Sequence, residues 1–528
     1  RNGVALAVLP GDDREDERLA GHGTVPPDFA ATLLGYFHAG GGAENMRRLL
    51  GRIDGYLAAL PSSDPASPGH LLPRGEKDEA ALAAPFSPWG RRSRQGDEGP
   101  RDLAPIALPT LFALGPNATP KPWRDALATL PADAPLVPIL VYRSGVAAGD
   151  TAMVEAIVAA LAARGLAPLP LALTSLKDEA VAAGLAELIA ARKPTLIVTT
   201  TAFSAREGEG FVLDAADCPI LQAVPVGSLR DAWEVSPRGL SAADLAMQAA
   251  LPEFDGRLGA IPVAFKQEIA DPATGLTMRR LAPDADGIAA LAELAASWVA
   301  LGRKPRSERQ IALVMSDYPA RGGRAGFAVG LDTPASALAI REFLAEAGYD
   351  VGPSPLDAVV PGDRRETPDP CLSPSAKGPG MGPGSPLRFV RDDRAEGGRV
   401  SADMMSALTE GSADFTVPLA AYRAWLATIP VTARAALHTS HGQPEADAAC
   451  DGEAFRFRIV RFGKLAIALQ PARDATPDRK ARCHDPDAPP GHAYLAFYFG
   501  LREIERADAL IHLGTHGTTE WLPGKAVA

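Results

Sequence analysis

Two histidines and a glutamate fall within nine positions near the end of this chain: His512, His516 and Glu520, in the stretch Ile511–Lys525 (IHLGTHGTTEWLPGK). Imidazole and carboxylate are ligands for a borderline divalent metal. They are also the usual proton acceptors near neutral pH. An apolar run, Ala507–Leu513, reads as a buried strand feeding this stretch. Gly514 and Gly517 bracket a turn, and Pro523-Gly524 closes a second one before Lys525. His516 and Glu520 are four apart, yet the glycines and proline leave little room for a helix, so the spacing predicts a loop. The order His-Glu-x-x-His is absent, which excludes a zinc-protease helix. The alternative reading of the same residues is a satisfied structural loop, with His512 alternating among buried strand positions.

Histidine usage points the same way. The chain has nine, none of them between residues 71 and 437, and His438, His441, His484, His492, His512 and His516 all lie beyond. That is the distribution of a metal- or proton-handling region. Glu253 and Asp255 form a second candidate pair, as acid and base or as turn-forming groups. A third feature is the glycine-rich run Arg321, Gly322, Gly323, Arg324 and Gly326 between a strand and a helix. It presents either N–H groups and arginines to an anion or a plain crossover. The Gly40–Gly42 run lacks the Lys-Ser/Thr that a phosphate loop needs.

The elements that must carry these residues are α/β. At 528 residues and 46% hydrophobic the chain supports several globular domains. The net charge of −11 argues against a nucleic-acid surface. No apolar run approaches the ~20 residues of a membrane span, and a cytoplasmic location is expected. Cys218, Cys371, Cys450 and Cys483 are far apart and read as reduced thiols. The start at Arg1 and the stop just after the Pro-Gly turn read as a piece of a longer polypeptide.

The pattern predicts a multidomain α/β protein with parallel sheets, flanking helices and long Pro/Gly-rich linkers. Residues 1–130 form an N-terminal α/β region. It opens with a strand-like run to Leu9, continues with helix Phe29–Phe37 and a short helix to Leu50, and carries a polar loop at 61–100 with the basic patch Arg91–Arg94. Residues 131–283 form a parallel-sheet domain. Its strands are Leu136–Tyr142, Leu169–Leu173, Pro194–Thr201, Cys218–Val224 and Gly259–Phe265. Its helices follow Asp150 or Thr151, run over Lys177–Arg192, and start at Ser241. Residues 284–355 hold a second unit: helix Ile288–Leu301, strand Ile311–Met315, and a helix with Thr333 as cap and Pro334 first, ending at Gly348. Residues 356–398 read as a linker. Residues 399–528 hold helices Ser401–Thr409 and Pro418–Leu437, a hairpin Ala454–Gln470 turning at Phe462-Gly463, and helix His492–Glu503.

The closing stretch GTHGTTEWLPGKAVA resembles the signature of the cobaltochelatase and magnesium chelatase large-subunit family. Three more blocks are similar to that family: LSAADLAMQAALPEFDG at Leu240–Gly256, YPARGGRAGFAVGLDTPAS within Tyr318–Gly352, and AGGGAENMRRLL at Ala39–Leu50. The Gly-Lys form of the motif resembles the cobalt enzyme. The resemblance implies a tetrapyrrole-binding chain that inserts Co²⁺, as substrate, into hydrogenobyrinic acid a,c-diamide. It implies ATP-hydrolysing ring subunits as partners that use ATP-Mg. No ATP site is expected here, since Gly524-Lys525 is followed by Ala526. Residue chemistry, set beside that resemblance, assigns His516 and Glu520 to metal delivery and deprotonation, with His512 and His484 as further metal-ligand candidates and Lys525, Arg324 and His492 as candidates toward the macrocycle. The alternatives are a magnesium chelatase large subunit acting with Mg²⁺ on protoporphyrin IX, a non-catalytic tetrapyrrole-binding protein, and a hydrolytic metalloenzyme.

Overall fold

A computed structural model describes residues 6–9, 22–39, 43–59, 104–105, 107–208, 210–270, 272, 275–316, 326, 328, 330–353, 393–473, 485, 487–514 and 522–525. The loop at 61–100 with Arg91–Arg94, the glycines 40–42, the run 321–325, the bulk of the 356–398 linker, Cys371 and Cys483 lie outside these residues. The chain divides into two compact units, residues 1–233 with 240–293, and residues 234–239 with 294–528.

The first unit is built on an eight-stranded sheet. Its strands are β1 (Leu111–Leu114), β2 (Pro120–Lys121), β3 (Leu136–Tyr142), β4 (Ala167–Leu173), β5 (Ile197–Thr199), β6 (Ile220–Leu229), β7 (Leu258–Ala270) and β8 (Thr277–Pro283), in the order β2-β1-β4-β3-β5-β6-β7-β8. β4, β3, β5, β6 and β7 run parallel, while β1, β2 and β8 are added antiparallel at the margins. β3 is buried along nearly its whole length, as expected of a strand covered on both faces. Leu140, Leu171, Leu185, Leu188 and Ile197 sit together in one apolar core with helix Glu179–Ala191. Asp178 caps that helix, accepting from Ala180 N at 2.9 Å and Val181 N at 3.3 Å.

Of the Glu253/Asp255 pair, Glu253 is exposed. Asp255 is a turn-forming group, fully buried in an ion pair with Arg257 at 2.7 Å. Its carboxylate also accepts from Ser204 Oγ at 2.6 Å, Ala205 N at 2.9 Å and Arg206 N at 3.0 Å. Ser241 starts its helix as expected, accepting from Asp244 N at 3.1 Å. The next six residues, Leu245–Ala250, form a π turn.

One helix corrects the expectation that no apolar run reaches bilayer length. Ala285–Arg303, at 19 residues, is long and apolar enough by length and composition. Ile288, Leu291, Ala292, Ala295 and Val299 are nevertheless buried along one side, the stripe of a packed helix.

The second unit holds a four-stranded sheet of β9 (Ile311–Met315), β12 (Ile459–Phe462), β13 (Leu465–Leu469) and β14 (Ala509–Leu513), in the order β12-β13-β9-β14. A two-stranded ladder pairs β10 (Phe415–Pro418) with β11 (Ala454–Phe457). β13, β9 and β14 are parallel. Alternation along β9 divides the core. Ile311, Leu313 and Met315 face Ala337, Met404 and Leu408, from helices Thr333–Glu346 and Asp393–Glu410. Ala312 and Val314 face Phe415, Phe455 and Phe497. The start of β14 is tied to that of β9 by Asp508, which accepts from Lys304 Nζ and Gln310 N, both at 2.6 Å.

Several local expectations are corrected. Residues 6–9 form no strand. The cap of helix Thr333–Glu346 is Asp332, accepting from Ala335 N at 3.0 Å, whereas Thr333 is inside the helix and donates to Gly326 O. The run from 418 to 437 is two helices, Leu419–Leu426 and Val431–His441, broken at Pro430. The hairpin comprises β12 and β13, while β11 pairs with β10 instead.

Candidate functional site

The three parallel strands of the second unit end level. Ser316 N donates to Leu513 O and Gln470 N donates to Met315 O, each at 2.9 Å. The segments that follow β9, β13 and β14 therefore leave one edge of one sheet. The described chain leaves this edge at Ser316 and Gly514, on adjacent strands. The carboxyl edge of a parallel sheet is where open α/β folds place ligands.

A hydrogen-bonded chain lines this edge. Gln470, buried at the end of β13, donates from Nε2 to Tyr498 Oη at 2.6 Å and to Tyr494 Oη at 3.3 Å. The Tyr498 hydroxyl also lies 3.3 Å from His512 Nε2, within hydrogen-bond distance. The two rings stack with centroids 5.6 Å apart and planes 7° from parallel. Desolvation pushes the His512 pKa below its ordinary value, although the residue as a whole remains exposed. Burial pushes the Tyr498 phenol well above the tyrosine range, so it stays a donor.

Helix His492–Glu503 delivers these tyrosines, and its first residue is locked in place. His492 is 1% exposed. Its Nε2 lies 3.1 Å from Gly442 O, which can only accept, so Nε2 carries the proton. Nδ1 then accepts from Tyr422 Oη at 2.9 Å. Burial lowers the His492 pKa against the opposing pull of Gly442 O and Asp447, and a neutral ring satisfies both neighbours. His438 meets His492 edge to face, with centroids 5.9 Å apart. His441 donates to Pro489 O at 2.9 Å, and Arg473 donates to Asp485 O at 2.7 Å and to Ala488 O. These bonds hold the approach to the helix.

Of the residues singled out in the sequence, His484, His516, Glu520 and Arg324 lie outside the described residues. Lys525 is described; its ammonium donates to Glu234 O, and to Ser236 O at 2.8 Å. His512 lies on β14 near its end, and His492 is buried with both ring nitrogens engaged. Among the described residues no three His, Cys, Asp or Glu side chains gather as a metal set. The sequence reading missed Gln470, Tyr422, Tyr494 and Tyr498. The two tyrosines four apart on a helix were the available signal, since that spacing puts them on one face.

Comparison with known proteins gives concordant results. The family described as CobN/Magnesium Chelatase matches residues 36–528. The aerobic cobaltochelatase subunit CobN of Pseudomonas aeruginosa is 34% identical over 539 residues, covering 99% of this chain and 37% of that protein. The magnesium-chelatase H subunit of Rhodobacter capsulatus is 27% identical over 451 residues, covering 81% of this chain and 34% of that protein. Among solved structures, the catalytic subunit of cobaltochelatase from Mycobacterium tuberculosis superposes with a TM-score of 0.67 at 26% identity, over 100% of this chain and 38% of that one. The chain thus spans little more than a third of the length of these relatives.

Proposed function

This chain belongs to the CobN/magnesium chelatase family, and on that premise we propose that it forms part of the large subunit of a cobaltochelatase. In this reading the whole protein, a cytoplasmic metal chelatase, inserts Co²⁺ into a corrin-type tetrapyrrole, hydrogenobyrinic acid a,c-diamide, in cobalamin biosynthesis. ATP-hydrolysing ring subunits drive the insertion from outside this chain.

The observation that carries the proposal is the level carboxyl edge of β13, β9 and β14. From it the described chain leaves β9 at Ser316 and β14 at Gly514, the strands that precede Arg324 and His516 in the sequence. Insertion requires stripping water from Co²⁺ and removing protons from ring nitrogens. His516 and Glu520 are the residues for those tasks. His512 contributes an imidazole stacked on Tyr498 and within hydrogen-bond distance of its hydroxyl, and His484 is the remaining ligand candidate. Arg324 and Lys525 meet carboxylates on the macrocycle. For Lys525 this means exchanging the carbonyls of Glu234 and Ser236 for the ligand. His492 acts by fixing the start of the helix that carries Tyr498.

Cobalt is favoured over magnesium by the greater identity to the CobN relative over almost the whole chain. Ligand chemistry agrees, because Mg²⁺ prefers oxygen and releases water reluctantly. Magnesium insertion into protoporphyrin IX is the second reading, supported by the similarity to the magnesium-chelatase relative.

The test titrates the complete protein with hydrogenobyrinic acid a,c-diamide and, separately, protoporphyrin IX. Absorbance is followed with Co²⁺ or Mg²⁺, ATP and the ring subunits present. Cobalt insertion into the corrin-type ring is expected. Glu520→Gln should abolish insertion while ring binding persists; a variant that still inserts metal, or one that has lost ring binding altogether, overturns the assigned role.

A further inference from the structure

The first unit carries a cavity of its own. Within its parallel set the order is β4-β3-β5-β6-β7. The chain lays down β3, adds β4 on one side, then crosses to place β5 on the other. The gap between the ends of β3 and β5 is therefore a switch point, the position where sheets of this order hold ligands. A cavity of about 430 Å³ opens there, lined by Tyr142 at the end of β3, Ser175 and Lys177 after β4, and Thr201–Ala205 after β5. That volume lies within the ~300–1,000 Å³ range of small-molecule sites.

Two backbone irregularities meet at this cavity. Phe203, one of the lining residues, has φ 64°, a left-handed conformation that bulky side chains avoid. It is also 50% exposed, so burial of the ring does not compensate for the strain. Its N–H donates to Met247 O, inside the π turn, at 2.7 Å. Its carbonyl accepts from Arg257 at 3.2 Å. Arg257 in turn donates to Thr201 O at 2.7 Å, to Gln222 Oε1 at 3.2 Å and to Asp255. A fully buried ion pair is thus bonded to the loop that carries Phe203, an exposed aromatic residue lining the cavity. Strain maintained by surrounding structure marks functional positions, and π turns recur at them.

The remaining lining groups define what fits. Leu176, Ala202, Ala205 and Leu251 are apolar. The Lys177 side chain makes no ion pair or hydrogen bond among the described residues. Ser175 Oγ accepts from Lys177 N at 3.1 Å, leaving its hydrogen to donate. The neighbouring Asp178 carboxylate is engaged by Thr174 and by the helix N–H groups.

We propose that this cavity binds a planar conjugated ring bearing a phosphate or carboxylate, the ring stacked on Phe203 and the anion met by Lys177 and Ser175. This is independent of metal insertion in the second unit.

The test follows flavin fluorescence on titration of the full chain. The probes are flavin mononucleotide, which carries a phosphate, carboxymethyl-lumiflavin, which carries a carboxylate, and uncharged riboflavin. At least one anionic flavin should bind saturably and more tightly than riboflavin. Lys177→Gln should reduce its affinity to that of riboflavin. Phe203→Gly should weaken it about tenfold. Because glycine adopts this φ freely, that variant should unfold at the same or a higher temperature than the parent, which separates lost stacking from lost structure. The proposal fails if neither anionic flavin binds up to about 1 mM, if neither is preferred over riboflavin, or if Phe203→Gly leaves affinity unchanged.

Discussion

Tyr498 and His512 stack almost parallel, 7° between planes, with the tyrosine hydroxyl 3.3 Å from Nε2 of the histidine. One residue comes from the helix before β14 and the other from β14 itself. Their contact couples helix placement to the surroundings of the His512 ring.

Tyr498→Phe separates the two parts of that contact. Phenylalanine keeps the stack, and with it the desolvation that lowers the His512 pKa. It removes the hydroxyl at Nε2, which as a donor to that nitrogen favours the neutral ring. The His512 pKa should therefore rise toward its ordinary value without passing it. Titration of the ring protons by NMR in the two proteins measures this, and an unchanged or lower value in the variant contradicts the assigned donor.

His492 supplies a stability prediction with a definite sign. Its folded pKa is lowered, chiefly by burial, so between the folded and unfolded values the unfolded chain binds more protons. Stability should be fully present above the unfolded value of about 6.5 and be lost as pH falls below it, down through the folded value. His512, lowered in the same direction, adds to the slope. His492→Gln should cost about 1–3 kcal/mol by orphaning the Tyr422 hydroxyl, and it should flatten that slope. Denaturant unfolding at pH values from about 5 to 8 reads both effects; stability that rises on acidification in the parent protein defeats the prediction.

Asp255 loses stability in the same direction but at lower pH. Burial alone would raise its pKa, but the Ser204 hydroxyl, the Ala205 N–H and the Arg257 charge together lower it. Its contribution is present above the unfolded carboxylate value of about 3.9 and is lost as pH falls through the lower folded value. Asp255→Asn leaves Arg257 buried without a counter-charge, which should cost about 3–5 kcal/mol. A loss below about 1 kcal/mol, the size of a surface pair, would mean that Arg257 finds another partner.

The parts legible in the sequence share a physical character. β3 and β9 read directly because strands covered on both faces are continuous apolar runs, and the structure gives both the expected bounds. Helix His492–Glu503 has its expected limits as well. β8, an exposed edge reading TMRRLAP, has no apolar signal. β1, only four residues long, is too short to stand out. The break at Pro430 followed from proline chemistry, since the residue before a proline avoids helical dihedrals, yet the apolar pattern on either side concealed it. The Gln470–Tyr498–His512 chain joins residues up to 42 positions apart (512 − 470 = 42). No local spacing encodes such a contact; it exists only once β13 and β14 flank β9.

Gly500 tests how tightly that assembly is fixed. A methyl group built there would lie 2.4 Å from Val417 Cγ2 and 2.7 Å from Phe415 Cζ, both on buried side chains of β10. In an unpacked helix Gly→Ala gains about 0.5–1 kcal/mol. Here overpacking, at about 1–3 kcal/mol, should dominate, so Gly500→Ala should be destabilising. Val417→Ala removes the nearer methyl, and the double variant should lose less than the sum of the two single losses, a coupling that denaturant unfolding of all four proteins resolves. Relief of the clash without that trimming requires the helix to move off β10 and to carry Tyr498 with it. The His512 titration should then shift upward in Gly500→Ala and return in the double variant. Additive losses, or a His512 pKa indifferent to both substitutions, would show that the helix does not control the terminal edge of the sheet.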